Sequence, residues 1–330
     1  MDKEQGEIQF IGFFGIFKES FDIISSWRKI FTHITLAIVL PLSFIFLAHI
    51  IVSELLFAKI IHNEETLDNT RPGTPKYAKL SDVISSEWTG FWLFKIAYFI
   101  FFLILSLLST SAVVYTIACI YTAKEITFEK VMSVVPKVWK RLMVTFIWNF
   151  IIVFAYNIAA LAVLIAWNVL IVPSIIGITV LIITLIIYLM GFVYISIIWH
   201  LASVISVLED VYGIQAMIKS KGLIKGKVGV AIAIFLLINL CFIAIQLAFE
   251  WYVVLGNSLG TRIGYGILFW LVLSMLILFG LIIQTVVYFV CKSYHHENID
   301  KSSLADHLEV FLGDYVPLKS KDVQLEQFDV

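Results

Sequence analysis

Long stretches without Asp, Glu, Lys or Arg alternate with short charged segments along the chain. Five of these stretches contain 22 to 67 residues each and cover 30–53, 96–123, 142–208, 228–249 and 263–291. A helix needs about 20 apolar residues to cross a hydrocarbon core about 30 Å thick. None of the stretches shows the two-residue alternation of a barrel strand. The α-helix is the other structure in which every backbone hydrogen bond can be made within hydrocarbon. The pattern therefore predicts membrane-spanning α-helices.

The 67-residue stretch is too long for one span, because at 1.5 Å per residue it would extend for ~100 Å. Asn168 and Pro173 interrupt it, and Trp167 beside them is typical of a membrane interface. A turn there gives six spans, near 30–53, 94–121, 142–167, 173–200, 228–250 and 263–291. We expect a kink at Pro41 in the first span, and a flexible outer loop over 62–90.

Composition agrees with a membrane protein, since 61% of the residues are hydrophobic and 14% are charged. Soluble domains are about 45–50% apolar and about 25% charged, so that class and the disordered class are excluded. The three cysteines form no CxxC pair, and no two histidines share a span at ligand spacing. We therefore expect no disulfide, metal, cofactor or catalytic site, and predict that the protein is not an enzyme.

Basic residues are distributed unequally between the two sides of the predicted membrane. Of the 23 Lys and Arg residues, 17 fall in the N-terminal segment, the second and fourth loops and the tail, and six fall in the other loops. The positive-inside rule places the first group, and both termini, in the cytosol. We expect a membrane domain over 1–292 and a cytosolic tail over 293–330, in the endoplasmic reticulum, another endomembrane or the plasma membrane.

Each odd-numbered span follows a similar cytosolic segment, at 15–29, 127–141 and 213–227. The apolar residues of each segment recur at helical spacing, which predicts an amphipathic helix. An amphipathic helix followed by two spans would then occur three times, giving an all-α fold with a threefold helix-hairpin repeat. Each segment ends in basic residues that are candidate contacts for lipid headgroups, namely Arg28, Lys29, Lys140, Arg141, Lys225 and Lys227.

The third segment carries a resemblance to a known family. An acidic residue and a glycine are followed by an Ala-x-x-x-Ser-x-x-Leu-x-x-Gly run, and the residues at these positions are Glu209, Gly213, Ala216, Ser220, Leu223 and Gly226. This segment resembles the membrane domain of the glycerophosphoryl diester phosphodiesterases. The resemblance implies a membrane domain without the enzyme, because the chain lacks the His-Arg-Gly element of the catalytic domain.

The whole chain, and above all the tail from Ser293 to Leu304, resembles a plant family of uncharacterised six-span membrane proteins. Some members of that family carry a poly(A)-binding-protein-binding name. The tail keeps Leu304 and Phe311 at the seven-residue spacing of the peptide that such partners bind, but the other positions of the motif differ. The pattern predicts a short tail helix that either docks on a protein partner or packs on the bundle itself, and nucleic-acid binding is not expected.

Polar side chains within the spans are functional candidates because they are costly in hydrocarbon. Asn149, Asn157 and Asn239 are the candidates, either as helix-to-helix contacts or as the lining of a substrate path. No carboxylate lies near mid-membrane, which argues against an ion-coupled transporter. Our leading hypothesis is a non-enzymatic protein that organises or senses lipid, or scaffolds partners, at the cytosolic leaflet. The alternative is a transporter or lipid translocator that uses the bundle interior.

Overall fold

The computed structural model describes residues 10–122, 126–170, 175–256 and 258–295. These residues form eight helices and no strand. The helices are α1 (Phe13–Ser26), α2 (Arg28–Asp68), α3 (Pro75–Tyr121), α4 (Phe128–Leu170), α5 (Ile175–Leu208), α6 (Ile214–Leu223), α7 (Val228–Val254) and α8 (Leu259–Tyr294). The predicted all-α class is therefore confirmed for the described part of the chain.

Six of the helices, all except α1 and α6, are long and apolar enough to cross a membrane. The prediction of an integral membrane protein with six spans is confirmed. The 67-residue apolar stretch is divided as expected, because α4 ends at Leu170 and α5 begins at Ile175. Pro173 and most of the tail, 296–330, lie outside the described residues.

The loop expected over 62–90 is largely helical, so that prediction is wrong. Only 69–74 separate α2 from α3, and Gly73 in this turn has a φ of +84°. The first residue of α3 is Pro75, a position where the missing amide of proline costs no hydrogen bond. The prediction failed because the charge of this region was taken as a sign of loop structure.

Polar contacts between α2 and α3 explain why both helices continue so far. Asn63 Nδ2 donates to Glu87 Oε2 at 2.8 Å, and Trp88 Nε1 donates to Glu64 Oε1 at 3.0 Å. Lys59 Nζ lies 3.0 Å from Glu87 Oε1. On α2 these residues span about one helical turn, and on α3 they are the neighbours Glu87 and Trp88. We call the facing parts of α2 and α3, with the turn between them, the polar helical hairpin.

The distortion expected at Pro41 is a π turn. Thr35–Val39 adopt π-helical geometry, and the α-helix resumes at Leu40 with Pro41 in its first turn. Proline cannot donate to a carbonyl one turn earlier, and the π turn removes the need for that bond. The Thr35 hydroxyl donates to the Phe31 carbonyl at 2.7 Å in the preceding turn.

The three cytosolic segments adopt different structures. The first is the separate helix α1, and the third is α6, which a short turn separates from α7. The second forms the beginning of α4 and continues into the span, with Pro136 inside the helix. A separate helix therefore precedes two of the three odd-numbered spans.

Contacts divide the chain into two compact units. The first contains residues up to Ile30, Thr110–Phe235 and residues from Leu281 on, and the second contains Phe31–Ser109 and Leu236–Gly280. The core of the first unit includes small residues of α3 such as Ala112, Thr116 and Ala118, which allow close helix packing. The second unit has a core cluster of Leu47, Phe249, Val253 and Leu273.

Candidate functional site

One carboxylate in the first unit contacts three side chains where α5 ends. Glu209 follows the last residue of α5 and accepts hydrogen bonds from Lys219 Nζ at 2.7 Å, Lys292 Nζ at 2.9 Å and the Tyr288 hydroxyl at 2.6 Å. Lys219 belongs to α6, and Tyr288 and Lys292 lie one turn apart on α8. These four residues, the Glu209 cluster, connect the end of α5 to α6 and α8.

The Glu209 cluster keeps its carboxylate ionised. Burial alone would raise the pKa of the Glu209 carboxyl, but the hydrogen bonds from Lys219 and Lys292 outweigh burial and hold the pKa below its ordinary value. The Glu209 side chain is 12% exposed and the Lys292 side chain 17%. With two ammonium groups for one carboxylate, the cluster has an excess of positive charge.

Arg141 contacts the same connection from α4. Its guanidinium donates to the backbone carbonyls of Glu209 at 3.3 Å and Asp210 at 3.4 Å, and to Asp210 Oδ1 at 3.0 Å. It also lies 5.6 Å from the centre of the Tyr212 ring. Arg141, a predicted headgroup contact, thus directs its polar atoms to the protein's own α5–α6 connection.

Buried hydroxyl groups satisfy the backbone of this connection. The Gly213 amide donates to Thr145 Oγ1 at 2.8 Å, and Thr145 Oγ1 lies 2.7 Å from Ser206 Oγ. Gly213 has a φ of +65°, and a Cβ there would lie 3.1 Å from Trp148 Cδ1. A residue with a side chain would therefore be strained at Gly213 both in its backbone and in its contacts.

The remaining residues of the Ala-x-x-x-Ser-x-x-Leu-x-x-Gly run also have packing roles. Ala216 and Leu223 are buried on α6, and the Ser220 hydroxyl donates to the Ile198 carbonyl of α5 at 2.7 Å. Gly226 has a φ of +88°, and a Cβ there would overlap the Tyr294 ring. The run with its preceding Glu209 therefore forms the packed joint between α5, α6 and α8.

The profile of the DUF8558 family, a domain of unknown function, matches residues 1–328. The chain belongs to the DUF8558 family. No curated protein matches it, and no solved structure does. The likenesses to the plant six-span family and to the phosphodiesterase membrane domain stay predictions.

The other predicted headgroup contacts of this DUF8558 chain are mostly exposed. The exposed residues are Arg28, Lys29, Lys140 and Lys225. Lys227 is partly buried, and its ammonium lies 5.2 Å from the centre of the Tyr294 ring. Unlike Arg141, the four exposed residues are accessible to a ligand.

The three predicted asparagines belong to two different units. Asn149 and Asn157 belong to the first unit, and Asn239 belongs to the second. Asn149 Oδ1 is buried and has no hydrogen-bond partner among the described residues. Asn157 Oδ1 accepts from the Tyr188 hydroxyl of α5 at 2.9 Å. That bond is the helix-to-helix role that sequence reasoning had offered as one of two alternatives.

Asn157 and Tyr188 also line a groove on the α4–α5 hairpin. The groove has a volume of about 710 Å³, and nearly all of its other lining residues are apolar. Ala159, Ala160 and Trp167 contribute from α4. Asn149 does not line it.

Sequence reasoning missed the members of the Glu209 cluster other than Glu209. Lys219 and Lys292 entered it only as charges that set the orientation of the chain. Tyr288 and Lys292 are four residues apart, a spacing that places two side chains on the same face of a helix. That spacing was the one available signal, whereas the pairing with Glu209 spans about 80 residues and follows only from the fold.

Proposed function

We propose that the chain is a non-enzymatic membrane protein that organises or senses anionic lipid at the cytosolic leaflet. The observation that carries this proposal is the division of α1 into two apolar faces. Ile16 and Ile23 are each 1% exposed, whereas Phe14 is 84% exposed and Phe21 is 63% exposed. One face therefore packs in the protein, and the aromatic face has no cover among the described residues.

An exposed aromatic face next to basic residues is typical of a helix that lies in the membrane interface. Phe14 and Phe21 fall on one side of α1 at helical spacing, Phe10 precedes the helix, and all three are exposed. Arg28 and Lys29 follow directly and are exposed as well. Each such basic residue contributes about 1 kcal/mol of attraction to an anionic surface.

The other two segments contribute charge more than apolar surface. Val131, Val135 and Val138 of the second segment are at most 1% exposed, and so their stripe packs inside the protein. Met217 and Leu223 of the third segment are also buried. We therefore assign lipid insertion to α1, and assign charge attraction to the exposed basic residues of all three segments.

The test is to measure the depth of α1 in lipid nanodiscs that hold the full chain. A Phe14→Cys variant carries an environment-sensitive dye, in a Cys241→Ser background because Cys119 and Cys291 are already buried. We expect a larger blue shift of the dye in anionic than in neutral lipid. The Arg28→Gln/Lys29→Gln double change should remove that difference.

Lys79→Cys is the matched control, because Lys79 is exposed on the polar helical hairpin. Its dye should report water in both lipids. Equal spectra for Phe14→Cys in anionic and neutral nanodiscs would contradict the proposal. A protein partner for the tail stays part of the proposal, although 296–330 lie outside the described residues.

The α4–α5 groove favours a second candidate function, lipid translocation. A groove of about 710 Å³ is large enough for part of a lipid chain, and the bond between Asn157 and Tyr188 adds polarity within it. In proteoliposomes, the chain should speed the exchange of a fluorescent phospholipid between leaflets. Ala160→Phe should fill the groove and slow exchange, whereas Ala155→Phe, exposed on the same helix outside the groove, should not.

A further inference from the structure

A lysine in the second unit contacts only neutral groups. Lys95 Nζ of α3 lies 2.9 Å from His49 Nε2 and 2.9 Å from Ser53 Oγ, both on α2. It also lies 5.0 Å from the centre of the Phe91 ring. Among the described residues, no carboxylate forms an ion pair with Lys95. The nearest carboxylate along α2, Glu54, is exposed.

The three polar groups at Lys95 offer more donors than acceptors. An ammonium has three N–H donors and no acceptor, so His49 Nε2 and Ser53 Oγ accept two of its hydrogen bonds. His49 is then neutral, and its Nδ1 carries a hydrogen. The Ser53 hydroxyl keeps its own hydrogen too. One ammonium donor and the Ser53 O–H therefore stay available to an acceptor beside Lys95, whereas the His49 Nδ1–H lies on the far side of the ring.

The position of Lys95 corresponds to the depth of lipid headgroups. It lies in the first turn of the second predicted span, 94–121, and one turn after Trp92, which is 59% exposed. Tryptophans concentrate at the interface of a membrane with water. The His49 ring stacks on Tyr98 with a centroid distance of 3.6 Å, which fixes the orientation of the imidazole.

We propose that Lys95 and Ser53, with His49 orienting the Lys95 ammonium, form a binding site for the oxyanion of a membrane lipid, a phosphate or a carboxylate. A charge at the edge of the hydrocarbon is costly without a partner of opposite sign. An oxyanion supplies that partner and accepts several hydrogen bonds at once. The site uses none of the residues of α1 or of the three cytosolic segments. The distribution of basic residues predicts that the site lies on the side of the membrane away from the cytosol. It is therefore additional to the proposed function.

Native mass spectrometry of the full chain in detergent tests the site. Phosphatidic acid, oleate, phosphatidylcholine and inorganic phosphate are titrated separately, in an Arg28→Gln/Lys29→Gln background that removes headgroup binding beside α1. We expect phosphatidic acid or oleate to bind, and whichever of the two binds more tightly identifies the headgroup. Lys95→Gln should weaken that binding about tenfold, which corresponds to the loss of one charged hydrogen bond.

Lys59→Gln is the matched control, because Lys59 is 68% exposed and already paired with Glu87. It should bind the lipid as well as the parent does, and Lys95→Arg should retain most of the binding. If Lys95→Gln does not fold, Ser53→Ala keeps the charge and should weaken binding about threefold, as for one neutral hydrogen bond. Unchanged binding in the folded Lys95→Gln variant would overturn the proposal. Equal binding of phosphatidylcholine, or full competition by inorganic phosphate, would overturn the assignment to an anionic lipid.

Discussion

The amide of Gly213 donates a 2.8 Å hydrogen bond to the hydroxyl of Thr145. The two residues are 68 positions apart in sequence, and both are buried. Through this bond α4 satisfies a backbone donor of the α5–α6 connection, which has no helical partner for it. The integrity of that connection should therefore depend on a hydroxyl group in a different helix.

Replacing Thr145 with valine should destabilise the protein by about 1–3 kcal/mol, because a buried amide would lose its acceptor. Thr145→Ser keeps the hydroxyl and should cost less. The melting temperature of the full chain in one detergent measures both variants. No loss for valine would contradict the role assigned to the Thr145 hydroxyl, because valine keeps the methyl group and removes the oxygen.

Replacing Glu209 with glutamine should lower stability by about 3 kcal/mol, because two partly buried ammonium groups would lose their carboxylate. Asp210→Asn is the control. The Asp210 side chain is 83% exposed, and its ion pair with Arg141 should be worth less than about 1 kcal/mol. The free energy of unfolding can be compared by denaturant titration in mixed micelles. A larger effect at Asp210 than at Glu209 would contradict the importance assigned to the cluster.

The contribution of Glu209 should also depend on pH. The ionised form is the bonded form, so the pKa of Glu209 is lower in the folded protein than its ordinary value of 4.5. The stabilisation is then fully present above pH 4.5 and is lost as pH falls through the lower folded-state pKa. The difference in melting temperature between the parent and Glu209→Gln should be constant from neutral pH down to about pH 5 and should shrink below pH 4. A difference that grows at low pH would exclude an ionised Glu209.

Gly213→Ala should destabilise the connection by about 2 kcal/mol, through its positive φ and the contact with Trp148. Gly222→Ala is the matched control on α6. A Cβ at Gly222 meets no atom within 4 Å, and alanine favours a helix by up to ~1 kcal/mol. Thermal melting should therefore move in opposite directions for the two variants. A destabilising Gly222→Ala change would show that α6 packs differently there.

The polar helical hairpin predicts a pattern of amide hydrogen exchange. Amides of Asn63 and Glu87 lie within continuous helices, whereas residues 71–73 form the turn. Exchange should be slow on both sides of that turn and fast within it. Uniformly fast exchange over 62–90 would show that this region is a loop, as the sequence had predicted, and not a pair of helices.

The span count was predictable because each span is defined by its own residues. An apolar stretch of about 20 residues must be a helix in hydrocarbon whatever surrounds it. The helical hairpin was not predictable in this way. Its polar side chains, such as Asn63 and Glu87, are 24 residues apart and are satisfied by each other only once the two helices are side by side.

The candidate site shows the same limit. Glu209 stood out in the sequence only through its place before the Ala-x-x-x-Ser run, and its partner Lys292 is 83 residues away. Asn157 was identified correctly as a polar residue within a span, but its bond to Tyr188 depends on how α4 and α5 pack. Residue type showed which side chains needed a partner, and only the fold shows which partner each one has.

Because of the π turn at Thr35–Val39, a change of one residue in the length of the first span should matter. If the π turn is kept, removing one residue rotates the helix after it by about 100° around its axis. His49 and Ser53 would then turn away from Lys95, and Asn63 from Glu87, although no contacting residue had been altered. Pro41 opposes a return to regular winding, because its ring cannot donate to the carbonyl of Ala37. Insertions and deletions in this short stretch should therefore be tolerated far less than substitutions, because they change which face of the helix each later residue occupies.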